Sequence, residues 1–229
     1  MDKSKLMEAV SSPHEIPNET SLRFVVAPER EEEVVDPVKL GSEDFVNRIF
    51  EIGHSRAVRL FSYRRSKEYH IDRHSLVIEQ AGERGRDDTV EAVRLELTES
   101  GQIAIDSNVT GRVRRGERHS LMDTMCIVQE DLEAVLRASF RFVASFLEEI
   151  DPYKRHQRSY YNVALRGVGF RTFVKVPKEQ SSYCMNVFRE DRPIVAFPEP
   201  RLIARADLTA PEGEITRIII LLSRNLETK

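Results

Sequence analysis

Three segments of the chain concentrate arginine, lysine and histidine, side chains that commonly contact phosphate groups. The residues expected to bind nucleic acid are Arg64 and Arg65 in the first segment, Arg112, Arg114 and Arg115 in the second, and Lys154, Arg155 and Arg158 in the third. Tyr153, Tyr160 and Tyr161 lie in or beside the third segment and offer rings on which bases can stack. If the fold brings the three segments together, they form a surface that follows a DNA or RNA backbone.

A second interpretation of the same arginines involves no nucleic acid. The chain has 35 lysines and arginines against 38 aspartates and glutamates, so an acidic partner is available for nearly every cation. Arginines on helix faces and loops often form ion pairs at the surface of a globular protein. The sequence leaves both interpretations open.

The histidines in or beside these segments define an enzymatic alternative. Those considered are His70, His74, His119 and His156. A histidine can transfer a proton near neutral pH, and an arginine can stabilise an anionic transition state. These residue types therefore suit a nucleic-acid phosphodiester hydrolase. Because no stretch carries a specific catalytic motif, the sequence assigns no catalytic residue and favours a protein without an enzymatic centre.

His70 and His74 also have the spacing closest to that of a metal site. On a helix, two histidines four residues apart share a face and can bind zinc. A third ligand is not evident nearby, and Cys126 and Cys184 are the only cysteines. We therefore predict neither a metal site nor a cofactor.

A helix over residues 128–150 is the most strongly predicted element. Apolar residues recur there at spacings of three and four, which places them on one face of a helix. Phe140 and Phe142 widen this face, and Asp151 followed by Pro152 ends the helix. A face this broad needs a sheet or several helices to cover it. We therefore expect this helix to be the central packing element of the domain.

Strands are predicted on both sides of this helix. The clearest is a hairpin in which residues 93–98 and 102–106 alternate apolar and polar side chains around a tight turn. Shorter strands are predicted at 22–26, 75–79 and 194–197, and a longer strand or a pair of strands over 160–176. Further helices are predicted after Ser42, over 56–65 and after a capping box at Thr209. Strict alternation of strands and helices is missing. The predicted fold class is therefore α+β, a mixed or mainly antiparallel sheet packed on a long central helix, with a C-terminal helix.

The beginning of the chain differs in composition from the rest. Its first 38 residues are polar and are interrupted by Pro13, Pro17, Pro28 and Pro37. We predict a partly flexible N-terminal arm over residues 1–38, in which only residues 22–26 are ordered, as a short strand. Residues 39–229 are predicted to form a single α+β domain.

Composition is typical of a soluble globular protein. Hydrophobic residues make up 40% and charged residues 32%, and the net charge of -3 excludes a uniformly basic protein. The longest apolar run, residues 218–222, is far too short to span a membrane. The beginning of the chain shows no signal-peptide pattern. We therefore expect a cytoplasmic protein that does not insert into a membrane.

Abundant charge and a well-patterned core, with no converging catalytic set, favour one functional class. We expect a non-catalytic binding or regulatory subunit of a cytosolic complex. Its partner is another protein or a second copy of the chain, and DNA or RNA is a further ligand through the arginine clusters. A third class is a structural oligomer that uses the isoleucine-rich C-terminal helix as its interface, which Ile219→Asp would disrupt.

Overall fold

The computed structural model describes residues 3–12, 20–30, 35–62, 68–72, 74–80, 92–115, 122–169, 171–174, 186–187, 192–224 and 227–228. Its helices are α1 (Lys3–Ser11), α2 (Pro37–Leu40), α3 (Glu43–His54), α4 (Gln129–Ile150) and α5 (Glu212–Ser223). Its strands are β1 (Ser21–Pro28), β2 (Glu68–Asp72), β3 (Ser75–Gln80), β4 (Val93–Thr98), β5 (Ile103–Asn108), β6 (Thr110–Arg115), β7 (Met122–Val128), β8 (Arg158–Arg166), β9 (Thr172–Val174), β10 (Asn186–Val187), β11 (Ile194–Val195), β12 (Arg201–Ala204) and β13 (Glu227–Thr228).

Eight of these strands form the main sheet, in which neighbouring strands are antiparallel. Their order is β11, β8, β1, β5, β4, β3, β2, and β12 pairs with β8 as well. A second sheet has the order β13, β10, β9, β7, β6, with β7 and β9 parallel. The predicted α+β class is confirmed, as is the predicted hairpin, which forms β4 and β5.

α4 covers one face of the main sheet with its aromatic side chains. The ring centroid of Phe140 lies 4.8 Å from that of Phe24 on β1 and 5.4 Å from that of Tyr161 on β8. All three rings are buried, and the two ring pairs meet edge to face, a favourable arrangement for aromatic side chains. The predicted long central helix is thus confirmed as α4, because the sheet provides the apolar cover that its aromatic face requires. The predicted C-terminal helix is confirmed as α5.

β1 lies in the middle of the sheet and is buried on both faces. Phe24 belongs to the core under α4, whereas Val25 packs with Leu6 and Val10 of α1 on the opposite face. β1 pairs with β5 on one side and with β8 on the other. Part of the segment predicted as an N-terminal arm is therefore integral to the sheet. The prediction that only residues 22–26 of this segment are ordered is wrong, because α1 also packs on the sheet.

The helix predicted over residues 56–65 is wrong for residues 56–62, the part that the structure describes. The N–H groups of Leu60 and Phe61 both donate to the carbonyl of Gly53, which turns the chain back onto the end of α3. A Cβ atom on Gly53 would lie 2.2 Å from Cδ2 of Phe61. This close approach explains why glycine is needed at the end of α3.

The capping box predicted at Thr209 is also wrong. The Thr209 hydroxyl donates to the carbonyl of Ala206, within the preceding 3-10 turn, instead of accepting an N–H of α5. α5 begins at Glu212 without a side-chain cap. By contrast, the N-cap predicted at Ser42 is confirmed, since its hydroxyl accepts the N–H of Phe45 at the start of α3.

A buried ion cluster lies between the main sheet and α1. Arg23 and Asp106 are directly opposite on β1 and β5, with Nη1 and Oδ2 2.9 Å apart. Arg166 lies 3.8 Å from the other oxygen of the same carboxylate and donates to the carbonyl of Val10 in the last turn of α1. Burial, together with the nearby Arg23, lowers the pKa of Arg166 to about 10. Two buried guanidinium groups thus share one carboxylate.

This sharing predicts unequal effects for two substitutions in the cluster. Asp106→Asn leaves two buried cations without their countercharge, which should lower the free energy of unfolding by about 3–5 kcal/mol. Arg166→Met removes the second cation and its hydrogen bond to Val10 but leaves the pair of Arg23 and Asp106 intact, so its cost should be smaller. Urea unfolding of both variants at pH 7 measures the difference. An equal loss of the free energy of unfolding in the two variants would show that the two guanidinium groups do not share the Asp106 carboxylate as their countercharge.

Candidate protein-binding edge

The first two basic segments are described only in part. Arg64 and Arg65 lie outside the described residues, as does His119. Arg112, Arg114 and Arg115 lie on β6, the outermost strand of the second sheet, with Arg114 in register with Asp123 of β7. β6 begins beside the start of β1, where the hydroxyl of Thr110 accepts the N–H of Thr20.

The third basic segment lies at the other end of β1. Nε of Arg158 is 2.9 Å from the carboxylate of Glu29, the residue that follows β1. The eight residues of β1 span about 25 Å, at roughly 3.3 Å per residue. The fold therefore does not place Arg112, two residues into β6, next to Arg158. A role for these arginines and for Lys154 in nucleic-acid binding stays a prediction.

Asp151, which follows α4, organises this third segment. Its buried carboxylate accepts the N–H groups of Arg155 and His156 and lies 2.9 Å from the guanidinium of Arg205. Arg205 also donates to the carbonyl of Leu147 in the last turn of α4, which accepts the N–H of Asp151 as well. Burial raises the pKa of Asp151, but the two N–H donors together with nearby cationic groups such as Arg205 outweigh this effect and lower the pKa below its usual value.

Several other arginines also contact carboxylates. Pairs with nitrogen to oxygen distances of 3.1 Å or less are Arg48 with Glu51 and Glu149, Arg94 with Glu79 and Glu96, Arg137 with Glu212, and Arg201 and Arg217 with Glu214. This pattern favours the interpretation in which cations and acids of the chain neutralise one another. Phosphate groups would have to compete with these carboxylates.

The described histidines occupy different environments. Nδ1 of His54 lies 3.1 Å from the carbonyl oxygen of Phe61, inside the fold, and His156 is buried beside Asp151. His70 and His74 are exposed. No group of three His, Cys, Asp or Glu side chains in the described parts of the chain is arranged to hold a metal ion. The hydrolase alternative also involves His119, Arg64 and Arg65, which lie outside the described residues, so it stays untested.

An exposed apolar surface lies at the β2 edge of the main sheet. Within the described residues β2 pairs only with β3, and all five of its residues are exposed. Tyr69 is 43% and Ile71 48% exposed. The register places them opposite Ile78 and Leu76 of β3, which are fully buried in the main core. The apolar face of the sheet thus continues past β3 and ends in solvent.

Val38 on α2 adds a third exposed apolar residue close to this edge. Its side chain is 85% exposed, and its N–H donates to Asp36, which caps α2. Three residues later the chain contacts β2, since a Cβ atom on Gly41 would lie 3.3 Å from Cδ1 of Ile71. We refer to Val38, Tyr69 and Ile71 as the β2 patch. The sequence signal for it is the alternation of Tyr69 and Ile71 with charged and polar neighbours.

The C-terminal helix contributes mainly to the core. Ile215, Ile218, Ile219 and Leu222 of α5 are buried in the core that also contains α4, whereas Ile220 is 49% exposed. Ile219→Asp would therefore place a charge in the core and could not serve as a specific test of an oligomer interface. Ile220 provides an exposed apolar position on α5, an element remote in sequence from β2.

In the parts of the chain that the structure describes, no helix combines the length and apolar character needed to cross a membrane. Comparison with models of protein families, with curated proteins and with solved structures yields no match to this chain. Function must therefore be argued from the surface and the buried groups themselves.

The pKa of Asp151 predicts how the stability of the third basic segment depends on pH. An aspartate with a folded pKa below its unfolded value stabilises the fold above the unfolded pKa, and this contribution is lost as the pH falls through the folded pKa. Asp151→Asn should thus reduce the free energy of unfolding at pH 7 by on the order of 3 kcal/mol. The gap between wild type and variant should narrow below about pH 4.

Urea unfolding at a series of pH values measures this gap. Asp207→Asn, at an exposed position in the nearby 3-10 turn, is the matched control and should change stability little at any pH. If the difference in free energy of unfolding between wild type and Asp151→Asn stays constant down to pH 2.5, the charge of the Asp151 carboxylate does not stabilise the third basic segment.

Proposed function

We propose that the chain is a non-catalytic, protein-binding subunit of a cytosolic complex and that its partner docks at the β2 edge. The main observation behind this proposal is that β2 is an exposed edge strand. Its exposed apolar residues Tyr69 and Ile71 lie opposite buried core residues of β3. Edge strands in soluble proteins are usually protected, because their backbone groups and apolar side chains promote association. A partner that covers β2 would supply that protection.

Two further observations support binding over catalysis. The described arginines pair largely with carboxylates of the same chain, and the buried residues among them hold α1 and α4 in place. Among the described residues, no histidine belongs to a group of three side chains that could hold a metal ion. The β2 patch, by contrast, is exposed and apolar, and exposed apolar patches mark interaction sites.

Substitution of a single exposed residue tests this proposal. Ile71→Lys places a charge in the β2 patch and should abolish co-purification of the partner, because the lysine would have to be desolvated in the interface. Ile220→Lys is the matched control, since Ile220 is 49% and Ile71 48% exposed. The measurement compares wild type and both variants, purified from native cell extract, by mass spectrometry of the co-eluting proteins.

The proposal predicts a stoichiometric second protein with wild type and with Ile220→Lys, and its loss with Ile71→Lys. Unfolding curves of the three proteins should superimpose, because both substitutions are at exposed positions. Equal partner retention by Ile71→Lys would contradict docking at β2. A high ratio of absorbance at 260 and 280 nm at low salt, lost at high salt and without a protein partner, would instead indicate a nucleic-acid ligand.

A further inference from the structure

We infer that the partner contributes an extended segment that joins the main sheet as an additional strand beside β2. This inference rests on the proposed function and specifies the chemistry of the docking segment. The segment carries apolar residues opposite Tyr69 and Ile71 and lysine or arginine opposite Glu68 and Asp72. Three features of the edge lead to this pattern.

The first feature is the backbone of β2. Residues 68–72 are all paired with β3, from Glu68 with Glu79 to Asp72 with Ser75, so the strand is regular along its whole length. A regular strand has N–H and C=O groups on its second side that can bind an added strand. Main-chain hydrogen bonds then provide affinity, and alternate side chains provide selectivity.

The second feature is the continuity of the apolar face. Leu76 and Ile78 on β3 are fully buried, and their partners across the pair, Ile71 and Tyr69, are about half exposed. An added strand would place its own alternate side chains next to Ile71 and Tyr69, on the same face. Apolar residues at those positions would extend the core by one strand.

The third feature is a concentration of negative charge on the opposite face. Glu68 lies directly opposite Glu79, and like charges at opposed positions of a sheet are unfavourable. Arg94 from β4 contacts Glu79 at 3.1 Å, on the side away from β2. A cation from an added strand would lie beside Glu68 on its other side. Asp72, at the other end of β2, offers a second such position.

This charge pattern disfavours a second copy of the chain as the occupant. A symmetric antiparallel pairing of two β2 strands that used all five residues would be centred on His70. It would place Glu68 of each copy opposite Asp72 of the other, which brings like charges together twice. A different protein with basic residues at these two positions fits the edge better.

A synthetic strand tests the inference on the full chain. The probe is a fluorescently labelled peptide of sequence TKVTVKT, whose symmetric pattern suits either strand direction, and binding is measured by fluorescence anisotropy. The control peptides are TEVTVET, in which the two cations become anions, and TKVTVKT with every internal backbone nitrogen methylated, which removes the internal main-chain donors. A chain carrying both Glu68→Lys and Asp72→Lys is the matched protein variant.

We expect wild type to bind TKVTVKT about tenfold more tightly than TEVTVET, since two opposed pairs change from attractive to repulsive. The doubly substituted chain should show the reverse preference, and N-methylation should abolish binding to both proteins. Absence of TKVTVKT binding to wild type would overturn the inference. So would binding that is unchanged by N-methylation, or an affinity that is the same for TKVTVKT and TEVTVET. A wild-type dimer that Ile71→Lys converts to a monomer would also overturn it, in favour of a second copy.

Failure of this inference can be distinguished from failure of the proposed function. If the cellular partner is lost with Ile71→Lys while the peptides fail to bind, the β2 edge is the docking site but strand addition is not the mode. If the peptides bind as expected and no cellular protein depends on Ile71, the edge recognises strands but the proposed subunit role is wrong.

Discussion

The fold depends on the burial of the aromatic face of α4 against the middle of the main sheet. Phe140 packs between Phe24 of β1 and Tyr161 of β8, so the helix and the two central strands share one ring cluster. This contact requires β1 to lie between β5 and β8, although β1 precedes both by many residues. The N-terminal segment is consequently fixed in the centre of the sheet, and α1 is placed on the opposite face.

Buried arginines attach α1 and the turn before α5 to the core that the ring cluster forms. Arg166 joins β8 to the end of α1, and Arg205 joins the turn before α5 to the end of α4. Each arginine also lies near a buried aspartate, Asp106 or Asp151, and each donates to a carbonyl in the last turn of a helix. These cations stabilise the fold. They illustrate why a count of arginines along the sequence overestimates the positive charge that a ligand can reach.

The sequence predicts α4 and the β4–β5 hairpin well, because their apolar spacing is long enough to identify the period. It does not predict the outcome for residues 56–62, where two N–H groups converge on the Gly53 carbonyl, a tertiary contact that no local pattern encodes. The β2 patch is missed for a similar reason. Tyr69 and Ile71 alternate with polar residues over only five positions, and their exposure follows from the place of β2 at the edge of the sheet. The spacing of His70 and His74 suggests a metal pair on a helix, whereas His70 lies on a strand.

The central claim is that the edge of β2 is covered when the chain is in its complex. Amide hydrogen exchange of the full chain, alone and in the complex isolated from cell extract, measures this directly. If the partner covers β2, exchange at residues 68–72 slows strongly in the complex, while α5 exchanges at the rate of the free chain. A complex that protects another surface and leaves residues 68–72 at their free-chain rate would contradict this claim.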